Sequence, residues 1–81
     1  MNIDELIGFV SGNNNRQKIL KLLGSKRGMS STLIAKTARL SQHLIDDILN
    51  ELVEKELIFE TDGKYQLTEL GITLKGRIQH I

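Results

Sequence analysis

Gln42, His43, Asp46, Asp47 and Asn50 fall within one nine-residue span. Amide, imidazole and carboxylate groups together offer hydrogen-bond donors and acceptors on one stretch of chain. The stretch in front of them offers charge. No acid occurs from Gly12 to Leu40, and Arg16, Lys18, Lys21, Lys26, Arg27, Lys36 and Arg39 all lie inside it. Residues 1–40 carry seven basic and two acidic side chains, and residues 41–81 four basic and eight acidic, so the formal net charge of +1 conceals a +5 half and a −4 half. Such asymmetry marks an anion-binding face when the cations share one surface; the plainer alternative is short solvated helices that scatter their charges unevenly.

Covalent chemistry lacks its parts. The chain has no cysteine, which excludes disulfides, thiolate metal sites and a cysteine nucleophile. His43 and His80 are the only histidines, and "GSKRG" lacks the glycine spacing and lysine-serine end of a phosphate loop. His43 and Asp47, four residues apart, can both reach a metal, but two ligands alone seldom make a strong site. No enzyme, cofactor or metal site is expected. No run of about 18 apolar residues spans a membrane, and the acidic start "MNIDELIGFV" is unlike a signal peptide's basic lead. A cytoplasmic location is the expectation. At 81 residues, a single domain over 1–81 is the default. A domain of this size buries only about 60–70% of its unfolded surface, so a second copy would add useful burial.

The elements that must position these groups follow from periodicity and capping. Ile3, Leu6, Ile7 and Val10 recur at helical spacing behind a capping Asn2. After "GNNN", a helix over about 15–23 turns Ile19, Leu20 and Leu23 inward, leaves Arg16, Lys18 and Lys21 in water, and ends at Gly24. Ser30 caps a short helix closing near Ala38, with Met29 and Ile34 as a hydrophobic staple. Ser41 caps the next helix. There Ile45, Ile48, Leu49 and Leu52 gather on one side, and His43, Asp47, Asn50 and Glu54 on the other, flanked by Asp46 and Glu51. "LIFETDGKYQL" reads as a hairpin: Asp62-Gly63 favours a two-residue type I′ turn, which pairs Glu60 with Tyr65 and Ile58 with Leu67. Thr68 caps a last helix with Leu70, Leu74, Ile78 and Ile81 as its stripe. The fold class is mainly α (α+β): a winged helix-turn-helix with a short two-stranded hairpin wing and flanking N- and C-terminal helices.

"SSTLIAKTARLSQHLIDDILNELVEKELI" followed by "YQLTELG" resembles the winged-helix regulators of the ArsR and MarR kind, over roughly residues 16–72. The resemblance implies a DNA-binding transcriptional regulator, usually a homodimer on a two-fold site, with helix 41–54 in the major groove and a short wing at 57–67. It also implies dimer contacts through the first and last helices, which the stripes Ile3–Val10 and Leu70–Ile81 suit; each stripe is as readily plain intramolecular core. Four positions depart from the family. Arg39 and Glu56 stand where glycine is frequent, so both turns are expected to take another form, and Asp46 and Asp47 stand where residues are usually basic or neutral.

For DNA, phosphate neutralisation supplies affinity and base-edge contacts supply choice. The phosphate candidates are Lys36 and Arg39 at the turn, Lys26 and Arg27 in the preceding loop, Lys64 on the wing, and Ser31 and Thr32 at a helix N-terminus. The base-edge candidates are Gln42 and His43, with Asp47 and Asn50 behind them. Asp46 and Asp47 oppose phosphates, which points to selective rather than tight indiscriminate binding. The alternative is a protein-interaction module that uses the acidic face of helix 41–54 or the apolar terminal helices.

Overall fold

The computed structural model describes residues 2–25 and 27–78; Lys26, His80 and Ile81, named above, lie outside the described residues. The order is α1 (Ile3–Ser11), α2 (Asn14–Gly24), β1 (Met29–Ser30), α3 (Ser31–Ala38), α4 (Gln42–Glu54), β2 (Ile58–Thr61), β3 (Lys64–Leu67) and α5 (Glu69–Ile78).

Each helix starts where a short polar side chain satisfies its free amides. Asn2 Oδ1 accepts from the Glu5 amide, and Asn13 Oδ1 from those of Asn15 and Arg16. The Ser30 and Ser41 hydroxyls accept from Leu33 and Leu44, each at 3.2 Å. Thr68 Oγ1 accepts from Gly71 at 3.0 Å. Such caps stabilise a helix by about 1 kcal/mol each.

The hairpin has the register expected from Asp62-Gly63: Ile58 faces Leu67 and Glu60 faces Tyr65. Asp62 and Gly63 have φ of 52° and 78°, the left-handed pair a type I′ turn requires. The sheet differs from the expected two strands. Met29 and Ser30 pair with Tyr65 and Lys64, so a third strand completes the order β1-β3-β2 and leaves β2 at an edge. Two residues carry no periodicity of their own, and the pairing is made by tertiary register.

One core joins the elements. Ile19, Leu20, Ile34, Ile45, Leu49 and Leu52 are essentially inaccessible, and burying side chains of this size stabilises by about 1.5–3 kcal/mol apiece. The terminal helices contribute to the same core. Leu6 and Val10 of α1 and Leu74 and Ile78 of α5 are buried in it. The stripes expected to meet a second copy are thus mostly occupied within the chain. Ile3, Ile7 and Leu70 remain half-buried, and Ile72 is 60% exposed.

The two turns expected to change form keep it. Arg39 and Glu56 both adopt the left-handed conformation, with φ of 58° and 61°. The bonds that close each helix impose it. Leu40 N–H donates to Ala35 O after α3, and Leu57 N–H to Leu52 O after α4, the six-residue closures of Schellman endings. A side chain in that conformation costs about 1–2 kcal/mol, which the packing of α4 between the turns over-determines.

Candidate nucleic-acid interface

α3 and α4 pack on each other across the Arg39–Ser41 turn. Thr32, Lys36 and Arg39 are exposed at helical spacing along α3 and its end, and Ser31 is half-buried at its first position. The pairing of Ser30 with Lys64 brings the exposed wing lysine beside the N-terminus of α3, next to Ser31 and Thr32. Arg27 is exposed in the loop leading into β1. Gln42 and His43 are exposed in the first turn of α4, followed by Asp46, Asp47 and Asn50. The fold therefore gathers the candidate cations into two groups: Lys64 with the start of α3, and Lys36 with Arg39 at the turn.

Two basic residues belong to this arrangement that sequence reasoning left in water. Lys18 Nζ donates to the Ala38 carbonyl at 2.9 Å. This sets an ammonium group on the C-terminal end of α3, where the helix dipole favours a cation, one residue from Arg39. Arg16 is only 21% exposed and grips Glu51 with two bonds, Nε to Oε1 at 3.2 Å and Nη2 to Oε2 at 2.7 Å. Its Nη1 donates to Phe9 O at 3.0 Å, and the guanidinium lies 3.9 Å from the Phe9 ring centroid. The bidentate, stacked geometry is the kind that makes an arginine–carboxylate pair hold. Glu51 is thereby withdrawn from the acidic strip on α4. No signal in the sequence links positions 35 residues apart without the fold.

The two aspartates have local partners. Gln42 Nε2 donates to Asp46 Oδ1 at 3.0 Å, and His43 Nε2 lies 3.6 Å from Asp47 Oδ2. Gln42 is thus held by a carboxylate one helical turn later. Held this way, Gln42 keeps its carbonyl oxygen as an acceptor. The electrostatic surface is mixed: Lys18, Lys36 and Arg39 at the turn stand against Asp46, Asp47 and Glu54 on α4. Among the described residues no group of three or more histidines and carboxylates could hold a metal ion, and no helix is long and apolar enough to cross a membrane.

Residues 16–81 match the family model described as winged helix-turn-helix. No curated protein sequence matches the chain. Among solved structures it is similar to MepR, a transcription regulator of the Staphylococcus aureus multidrug efflux pump MepA, with a TM-score of 0.84 and 22% identity over 96% of this chain. It is similar to quinone-bound YodB from B. subtilis, with a TM-score of 0.82 and 24% identity over 94% of this chain and 86% of that one. It also matches the Mycobacterium tuberculosis MarR-family protein Rv2887 in complex with DNA, with a TM-score of 0.74 and 22% identity over 79% of this chain. The chain spans 62% of the length of MepR and 50% of that of the DNA-bound protein.

Proposed function

The chain belongs to the winged helix-turn-helix family, and from that premise we propose that it is a DNA-binding transcriptional regulator. α4 enters the major groove by its N-terminal turn, where Gln42 and His43 meet base edges. Lys36 and Arg39 contact phosphates from the turn, Ser31 and Thr32 from the start of α3, and Lys64 from the wing. The observation that carries this reading is the group of cations at the Arg39 turn, Lys36 and Arg39 with Lys18 on the Ala38 carbonyl, ahead of two exposed hydrogen-bonding side chains in the first turn of α4. The DNA-bound relative of like fold supports it. The working form is a homodimer in the cytoplasm, joined through the surfaces that α1 and α5 leave outside the core, Ile3, Ile7, Leu70 and Ile72. It acts by binding, without catalysis, over a single domain of residues 1–81.

The test is selection from a random duplex pool at low and moderate salt, followed by titration of the selected site. With about four to six phosphates contacted, the log–log salt slope should be about −4 to −5. Lys36→Ala and Arg39→Ala should weaken binding to all sequences, and Gln42→Ala should change the preference among them. If no duplex is retained at low salt, the regulator reading is lost. Asp47 and Glu54, both exposed, favour the second reading, an acidic face that meets a basic protein; Asp47→Lys should then abolish capture of that partner.

A further inference from the structure

The tip of the wing is Asp62 and Gly63, both exposed. Asp62 is the only aspartate or asparagine in the chain that a glycine follows. Such a bond is chemically vulnerable, because glycine has no side chain to shield its own nitrogen. A Cβ placed on Gly63 would meet nothing within 4 Å, so the space around that nitrogen is open. The nitrogen can attack Cγ of Asp62. The new N–C bond closes a five-membered succinimide, and the Cγ hydroxyl leaves with the amide proton as water. A second water reopens the ring at either carbonyl. Opening at the Asp62 α-carbonyl routes the chain through Cβ and Cγ and leaves isoaspartate, with no net change in mass.

The turn stands one peptide-plane flip from this ring. Positive φ at both residues, 52° and 78°, makes a type I′ turn, whose first residue has ψ of about +30°. There the Gly63 nitrogen lies nearly opposite Cβ of Asp62, out of reach of Cγ. Ring closure needs the two eclipsed across the Cα–C bond, at ψ of about −120°, the value at the first position of a type II′ turn. Both turns share the φ that Asp62 already has, so only the Asp62–Gly63 peptide plane must flip. One side chain holds that plane: Glu60 Oε2 accepts from the Gly63 N–H at 2.6 Å. The flip points this N–H the other way, so the bond must break first.

From this geometry we infer that Asp62 is a site of spontaneous isomerisation to isoaspartate, and that Glu60 restrains it by holding the Gly63 amide. The product carries one more methylene in its backbone than a two-residue turn accommodates. The Thr61–Lys64 pair that closes the turn is then displaced. Lys64 also pairs with Ser30, so the displacement reaches β1.

The test ages the full chain, labelled with ¹⁵N, beside its Glu60→Ala and Glu60→Gln variants at physiological temperature and pH, once circular dichroism shows an unchanged fold. Isoaspartate is counted by enzymatic methylation of its carboxylate and placed by fragmentation mass spectrometry. Glu60→Ala should accumulate it at residue 62 about three-fold or more faster than the unaltered chain. Glu60→Gln keeps a carbonyl acceptor and should fall between the two. The Gly63 amide should exchange with solvent faster in the alanine variant, and the aged protein should show shifted Lys64 and Ser30 amides. An equal or slower rate in Glu60→Ala, a glutamine variant as fast as the alanine one, or isoaspartate absent from residue 62 in all three proteins would each overturn the inference. No DNA enters these measurements, so their outcome is independent of the regulator reading.

Discussion

The turn ahead of α4 and the turn behind it share one backbone solution and differ in everything else. Both close their helix with a left-handed residue that is not glycine, Arg39 in one case and Glu56 in the other. Around Arg39 the neighbours are cations and a helix end, with Lys18 on the Ala38 carbonyl. Around Glu56 the neighbours are structural. Thr68 Oγ1 donates to Glu56 O at 2.7 Å, and the Thr68 amide donates to Leu57 O at 3.0 Å. Gly71 packs so close that a Cβ there would lie 2.1 Å from Leu57 O. The first turn keeps its side chain exposed beside positive charge. The second is clamped to α5 and carries an exposed negative charge. A single helix thus runs from a basic turn to an acidic one.

The sharpest break of this contrast is Gly71→Ala. The obstructing atom is backbone, so the helix must shift, at a cost of about 2–3 kcal/mol. Thermal unfolding should then move down by roughly 10 °C or more; an unchanged midpoint would mean that the second turn is not clamped. Thr68→Ala comes next. It removes the α5 cap and the bond to Glu56 O, costing about 1–2 kcal/mol in urea unfolding and leaving DNA affinity unchanged. Replacing each left-handed residue by glycine compares the turns directly. Arg39→Gly and Glu56→Gly should each gain up to about 1 kcal/mol, the relief of strain less the entropy of glycine. Only Arg39→Gly should flatten the DNA salt slope, by about 0.9. Equal slopes for the two variants would erase the functional half of the contrast. The smallest effect belongs to Asp46→Ala. Its stability should stay within about 0.5 kcal/mol, while selected sites should change where Gln42 reads, since the amide loses its restraint.

Local signals made much of this architecture legible. Asn2, Ser30, Ser41 and Thr68 mark helix starts by side-chain chemistry that acts within three residues. Asp62-Gly63 dictates both turn type and register. What stayed hidden depends on distance or on competition. The strand at Met29–Ser30 exists only because β3 lies beside it. Lys18 meets Ala38 and Arg16 meets Glu51 across separations no periodicity encodes. At Arg39 and Glu56 the local preference argued for a different turn, and the closures made by Leu40 and Leu57 prevailed over it. The candidate surface was readable as residue types; the pairing of Glu51 with Arg16 and the bond from Gln42 to Asp46 were not.

The exposed flank of β2 at Phe59–Thr61 also bears on how copies of this protein tolerate crowding. Two such flanks meeting head to tail would bring Glu60 of each molecule toward the exposed carboxylates of the other, Glu56 and Glu69 among them. Like charge at a strand border keeps identical molecules from zipping into fibrils. The carboxylates of this border therefore act as a standing guard against self-aggregation, one that weakens as added salt screens it.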